Sequence, residues 1–162
     1  MRDDYSFRAA RSDDLPLLRA WLHTPEVARW WGDPDEQAAM LEEDLIDPGM
    51  AMRIVSLEAE PFAYAQDYDV HRWPQAHFAG LPPGSRAIDS FIGEPEMIGR
   101  GHGSAYLRLL AARLRAEGAP VVAIDPAVDN MRARRAYEKA GFAGGRVVET
   151  SEGLAVLMLF KP

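Results

Sequence analysis

Cysteine is absent from all 162 residues. That excludes a disulfide framework, a thiolate zinc site and a cysteine nucleophile. Long apolar runs are missing as well: no stretch approaches the roughly 18 residues of a membrane span. The start Met1-Arg2-Asp3-Asp4-Tyr5 is charged with no apolar segment behind it, unlike a secretory signal. Basic charge is in short supply, with 18 Lys and Arg against 25 Asp and Glu, a net charge of −7. This balance disfavours non-specific nucleic-acid binding and suits a cationic small molecule, although it also serves plain solubility. The four histidines (His23, His71, His77, His102) lack metal-ligand spacing, and His71 with His77 reads as loop composition, so no metal is expected. Repeats, low-complexity tracts and linkers are absent too. The expectation is one cytoplasmic domain over residues 1–162, a monomer or homodimer, with neither nucleic acid nor membrane as partner.

What is present is a 48% hydrophobic, 27% charged chain, long enough to bury a core without staples. Apolar periodicity predicts a strand at 5–9, then helices carrying Leu15, Leu18, Trp21 and Leu22, a short helix from Pro25, and a third at 36–45. Strands follow at 52–57 and 62–68, joined by a turn, and another at 87–92. Between them, residues 69–85 form a long irregular segment containing Pro74, Pro82, Pro83 and Gly84; such a loop in a compact domain is functional or mobile. A helix from Ser104 has an apolar face of Ala105, Leu107, Leu109, Leu110 and Leu114. Residues 121–124 read as a buried strand, Asp129 or Asn130 caps a helix over 131–140, and a final hairpin closes around Ser151-Glu152-Gly153. The fold class is α/β, a mixed sheet with helices on its faces.

Gly99, Gly101 and Gly103 alternate between a strand and a helix. Glycine lets backbone N–H groups approach an anion, and the helix start adds unpaired donors and its positive dipole end. Ser104 offers a hydroxyl and Arg100 a charge, which makes a cradle for a diphosphate. Three glycines also make an ordinary loop. Walker A and dinucleotide-binding spacings are both missing.

The run Met97-Ile98-Gly99-Arg100-Gly101-His102-Gly103-Ser104, followed by an amphipathic helix, resembles motif A of the GNAT superfamily, with Ile98 at its usual Gln/Arg position. Asn130, Ala133, Tyr137, Lys139, Gly141 and Phe142 resemble its motif B. Val27-Ala28-Arg29-Trp30-Trp31-Gly32, Glu60 through Tyr68, and Arg86-Ala87-Ile88-Asp89 are similar to the aminoglycoside 6′-N-acetyltransferases, a subgroup in which that position is often aliphatic. The resemblance covers nearly the whole chain and is weakest over 69–85.

It implies the GNAT fold, acetyl-CoA as co-substrate, and direct transfer to a primary amine of a small cationic acceptor, favouring an aminoglycoside 6′-amine. A siderophore precursor, a polyamine, a protein amine, or non-catalytic CoA sensing are the other options. Ile98, Gly99, Arg100, Gly101, Gly103 and Ser104 would hold the pyrophosphate. Phe91 and Ile92 would offer strand N–H groups to the pantetheine arm and the carbonyl, and Asn130 would bond the arm. Tyr137 would return a proton to the thiolate, unless it is only a packed aromatic. Asp89, a carboxylate in a mostly apolar strand, would hold the acceptor amine and take its proton; the alternative is an outward residue paired with a surface Arg. Asp125, Asp69 and Glu152 would add acidic contacts, with loop capping and solvated charge as the alternatives. Trp31 would wall the acceptor pocket, or join the core beside Trp30. Asp67 reads as a solvated charge or a further member of that acidic set, and Arg132, Arg134 and Arg135 as neighbours of a CoA phosphate.

Overall fold

Helices and strands follow one another in the order that the periodicity predicts. The computed structural model describes residues 4–162; Met1-Arg2-Asp3, part of the charged start, lies outside them. In chain order the elements are β1 (Tyr5–Ala9), α1 (Leu15–Leu22), α2 (Pro25–Trp31), α3 (Pro34–Asp44), β2 (Met50–Leu57), β3 (Glu60–Asp69), β4 (Arg86–Ile92), α4 (His102–Ala116), β5 (Val122–Ile124), α5 (Met131–Ala140), β6 (Phe142–Thr150) and β7 (Gly153–Phe160). The strands are hydrogen-bonded in the order β1-β2-β3-β4-β5-β7-β6, a mixed sheet of the expected class. The chain divides into two compact units: one runs to Gln66 and resumes over Ser90–Arg100, and the other comprises Asp67–Asp89 and Gly101–Pro162.

In the first unit β1 runs antiparallel to β2, from Tyr5 opposite Leu57 to Ala9 opposite Arg53. The turn into β3 places Glu58 and Ala59 at φ of 50° and 70°, the pair of positive values a two-residue hairpin of matching twist demands. Proline occupies the first turns of α2 and α3, and Asp33 Oδ1 caps α3 by accepting from the Asp35 and Glu36 amides at 3.0 and 2.9 Å. Leu18, Trp21, Leu22, Val27, Leu41, Ile54, Tyr64 and Phe91 form the buried core. Gly93, directly after β4, lies so close to Trp21 that a Cβ there would fall 2.1 Å from the indole, so this position must lack a side chain. The indole Nε1 donates to Glu94 Oε1 at 2.9 Å.

In the second unit β4 pairs parallel with β5 through Arg86↔Val122 and Ala87↔Ala123, so Asp89 and the β4 residues after it lie beyond that ladder. β5 and β6 each run antiparallel to β7, with a bulge in β6 between Ala143 and Arg146. Helix α4 buries Leu107, Leu110 and Leu114 as expected. Leu109, expected on the same face, is 50% exposed, while Tyr106 and Ala111 are buried. At 100° per residue Leu109 stands about 200° from Leu107, on the far side of the helix. Asn130, not Asp129, caps α5 by accepting from the Ala133 amide at 3.2 Å. Among the described residues, no helix is long and apolar enough to cross a membrane, and no group of three His, Cys, Asp or Glu could hold a metal ion.

Candidate functional site

The glycine loop has the geometry of an anion cradle. Gly99 and Gly101 take φ of +78° and +85°, left-handed values that cost a side-chain-bearing residue strain. A Cβ on Gly99 would meet nothing within 4 Å, so its backbone borders open space. A Cβ on Gly101 would lie 3.6 Å from the ammonium of Lys139, a cation whose closeness to the loop the sequence did not reveal. Helix α4 starts at His102, two residues earlier than the sequence suggested, with Gly101 as its N-cap, and the first-turn amides follow it. Ser104 is buried and its hydroxyl donates to Ala136 O at 3.0 Å, tying α4 to α5; what it offers an anion is backbone N–H. Arg100 is exposed and Ile98 half-buried. These features fit a CoA pyrophosphate. Arg134, read as a phosphate neighbour, donates to Val128 O at 2.8 Å and so braces the loop before α5.

A set of acidic and phenolic groups of the second unit is linked electrostatically. Asp125 follows β5 on a loop pinned to β7 by Val156 N donating to Pro126 O (2.9 Å) and Val128 N donating to Leu154 O (3.0 Å). Burial and then the charge of Glu152 push the Asp125 carboxyl up to about 7, partly opposed by a backbone hydrogen bond. Glu152 itself is exposed in the β6–β7 turn, where its amide donates to Thr150 Oγ1 at 3.1 Å. Burial foremost, then Tyr106, Asp89 and Asp125, raises the Tyr137 phenol well above its ordinary value. Burial foremost, then Asp89 and Asp125, does the same to Tyr68, with Glu152 adding a smaller push and a hydrogen bond to Gln75 opposing it. Both phenols therefore stay protonated at neutral pH. Asp89, half-buried on β4, is thus close enough to raise both hydroxyls.

Asp67 is not a solvated charge. It is 1% exposed and gripped by Arg86, so it adds no free negative charge to the set. Asp69 is half-buried at the end of β3, where its Oδ1 accepts from the His71 amide at 2.8 Å and opens the irregular segment 69–85. That segment is built rather than loose. Val70 N donates to Ser85 O at 3.0 Å, and His71 Nε2 lies 2.8 Å from Leu81 O. Phe78 is fully buried in a 3₁₀ turn (Ala76–Phe78), and Trp73 packs edge-on against Tyr68 with ring centroids 5.5 Å apart.

His77 is the residue the sequence hid. Its side chain is 3% exposed and its Nε2 lies 2.9 Å from Asp125 Oδ2, across 48 positions of sequence. No local pattern signals such a pair.

In the first unit Trp31 is half-buried and edge-on to Phe91 and Tyr64, with centroids 5.0 and 6.2 Å away. The ring is packed against the core while part of its surface stays open. Ser90 Oγ donates to Tyr64 O at 2.7 Å, fixing β4 where Phe91 and Ile92 follow. Asn130, whose Oδ1 caps α5, keeps its amide N–H groups as donors for other partners.

Similarity to known proteins agrees with this chemistry. The family profile described as acetyltransferase (GNAT) domain matches residues 10–150. The chain is 31% identical to aminoglycoside N(6')-acetyltransferase type 1 of Klebsiella pneumoniae, over 97% of this chain and 83% of that protein. The solved structure of AAC(6')-Ib with paromomycin and acetyl-CoA aligns with a TM-score of 0.88 at 29% identity, covering 98% of this chain and 94% of that one. The complex of AAC(6')-Ib with coenzyme A and kanamycin aligns at 0.87 and 29%, covering 98% and 95%.

Proposed function

Because the chain belongs to the GNAT acetyltransferase family, we propose that it transfers the acetyl group of acetyl-CoA to a primary amine of a small cationic acceptor, the 6′-amine of an aminoglycoside. The observation that carries the acceptor side is the acidic set of the second unit, in which Asp89 and Asp125 both act on the protonated phenols of Tyr68 and Tyr137. Such a cluster favours a polycation over a neutral or anionic amine carrier. Residues 1–162 are read as one catalytic domain; β3 and β4 run through both units unbroken, and the family profile spans most of the chain.

Acetyl-CoA supplies the acetyl thioester and departs as the thiol. The backbone of Gly99, Arg100, Gly101 and Gly103 with the first-turn amides of α4 would hold its pyrophosphate, and Asn130 would bond its pantetheine arm. The N–H groups of Phe91 and Ile92 supply strand donors for the same arm and for the carbonyl oxygen. Asp89 orients the acceptor ammonium and takes the proton that must leave before nitrogen attacks, directly or through water. Asp125 and Glu152 anchor other ammonium groups of the acceptor, Asp69 adds charge at the mouth of the loop, and Trp31 offers an aromatic wall. Tyr137, kept protonated by its surroundings, gives its proton to the leaving sulfur as the new N–C bond replaces the C–S bond, and the second proton that the acylated nitrogen sheds restores the phenol. A cytoplasmic location goes with the use of acetyl-CoA.

Release of free thiol from acetyl-CoA, measured against kanamycin, polyamines and hydroxamate precursors, tests this reading. Release with the aminoglycoside and little with the others supports it. Release with a polyamine or hydroxamate precursor instead would replace the acceptor while keeping the chemistry.

A further inference from the structure

The segment 69–85 crosses the second unit and brings His77 against Asp125, the carboxylate assigned above to an acceptor ammonium. We propose that His77 is a positioning and specificity-determining residue of the acceptor site: its ring, 2.9 Å from Asp125 Oδ2, engages that oxygen and leaves Oδ1 to face the acceptor. The proposal rests on the aminoglycoside acetyltransferase reading.

The contact is a buried one. The His77 side chain is 3% exposed and that of Asp125 19%, so neither partner is exchanged readily for water. The ring also lies against Phe78, with centroids 4.0 Å apart and planes tilted by 43°, and Arg146 Nη2 donates to the His77 backbone carbonyl at 3.4 Å, which fixes the main chain that carries the ring. His77 also lines a cavity of about 430 Å³ together with Leu81, Gly144, Arg146 and Leu157.

Burial and the nearby Arg146 lower the His77 pKa, so the ring is neutral at pH 7. A neutral ring that donates Nε2–H holds the ionised form of Asp125 and fixes which oxygen is free. The groups that interact electrostatically with Asp125 are Tyr68 on β3, Tyr137 on α5 and Glu152 in the β6–β7 turn, while Asp89 on β4 acts on both phenols. The phenols are neutral, and the Glu152 carboxylate opposes a second negative charge at Asp125. A cationic acceptor reverses that opposition. Binding at neutral pH therefore ionises Asp125 and releases its proton, and acceptor affinity rises as pH increases through about 7.

His77→Leu fills the volume without a donor, and His77→Gln places an amide N–H near the Nε2 position. Each variant is compared with the unaltered chain in steady-state kinetics with kanamycin from pH 5.5 to 8.5. Proton release on kanamycin binding to the CoA-free protein is measured alongside, by calorimetry in two buffers. With His77→Leu, kcat/KM for kanamycin falls about tenfold at pH 7, carried by KM. The ionisation near 7 moves upward and the KM for acetyl-CoA stays unchanged. His77→Gln recovers most of the loss. An unchanged kanamycin KM and pH profile in His77→Leu, or equal losses for both substrates, would overturn the proposal while leaving the acetyltransferase reading intact. Absence of thiol release from the unaltered chain with every aminoglycoside overturns that reading, and this proposal with it.

Discussion

Arg86 holds Asp67 through one carboxylate oxygen, with Nε at 2.9 Å and Nη2 at 2.7 Å, and Nη2 also reaches the Asp67 carbonyl at 3.1 Å. The pair joins the end of β3 to the start of β4, three residues before Asp89. Its acid is almost wholly buried, so removing the base alone strands a charge. Arg86→Met should destabilise the fold by about 3–5 kcal/mol, and Asp67→Leu in the same chain should restore much of it. Denaturant unfolding of the two single variants and the double variant checks this. Additive losses would show that the two side chains are not coupled.

Asp125, the proposed acceptor contact, also bears on stability. Its carboxyl titrates near 7 in the folded chain, against about 3.9 unfolded. Between those values the folded state keeps a proton that the unfolded state has lost. Stability therefore falls as pH rises from about 4 to 7, and the penalty is fully present above 7. Asp125→Asn should flatten that slope and raise Tm at pH 8 by at least about 2 °C, with little change at pH 4. The same variant should bind kanamycin more weakly. Thermal melts across this window, read beside kanamycin binding, separate the two effects.

The glycine loop makes a prediction confined to the donor. Gly99→Ala forces a side chain onto a left-handed residue and puts a methyl group where open space now lies. The KM for acetyl-CoA should rise at least about tenfold while that for the aminoglycoside holds. An equal rise in both would mean that the loop serves the fold and not the pyrophosphate.

Asp89 and Tyr137 should be felt in turnover. Asp89→Asn is expected to lower kcat by about 10²–10³ with acetyl-CoA affinity retained, and Tyr137→Phe by a factor of about 10². Because the surroundings raise the Tyr137 phenol, activity should show no decline from its ionisation up to pH 9. A fall in acetyl-CoA affinity as large as the fall in kcat would assign either residue to structure.

The sheet class, the capped start of α5 and the glycine loop before α4 were legible because each rests on neighbours in sequence. A glycine run sits between a strand and a helix, an Asn precedes a helical run, and apolar residues recur at a fixed period. The tertiary pairs were not. Asp67 reads as one more surface acid until β4 brings Arg86 to it, and His77 reads as loop composition until the segment 69–85 folds onto Asp125. Leu109 was misplaced because a count of leucines gives the composition of a helix face without its phase. Asp89 stood out for the opposite reason: a carboxylate within an apolar strand is conspicuous without any partner in view.

The position of the acetyl group on the product tests the central claim most directly. Kanamycin treated with acetyl-CoA and this protein should carry one acetyl group, on the 6′ nitrogen by NMR, and Asp89→Asn should form about a hundredth as much in the same time. Acetylation at a different amine, or unmodified kanamycin after full incubation with acetyl-CoA, would contradict the account.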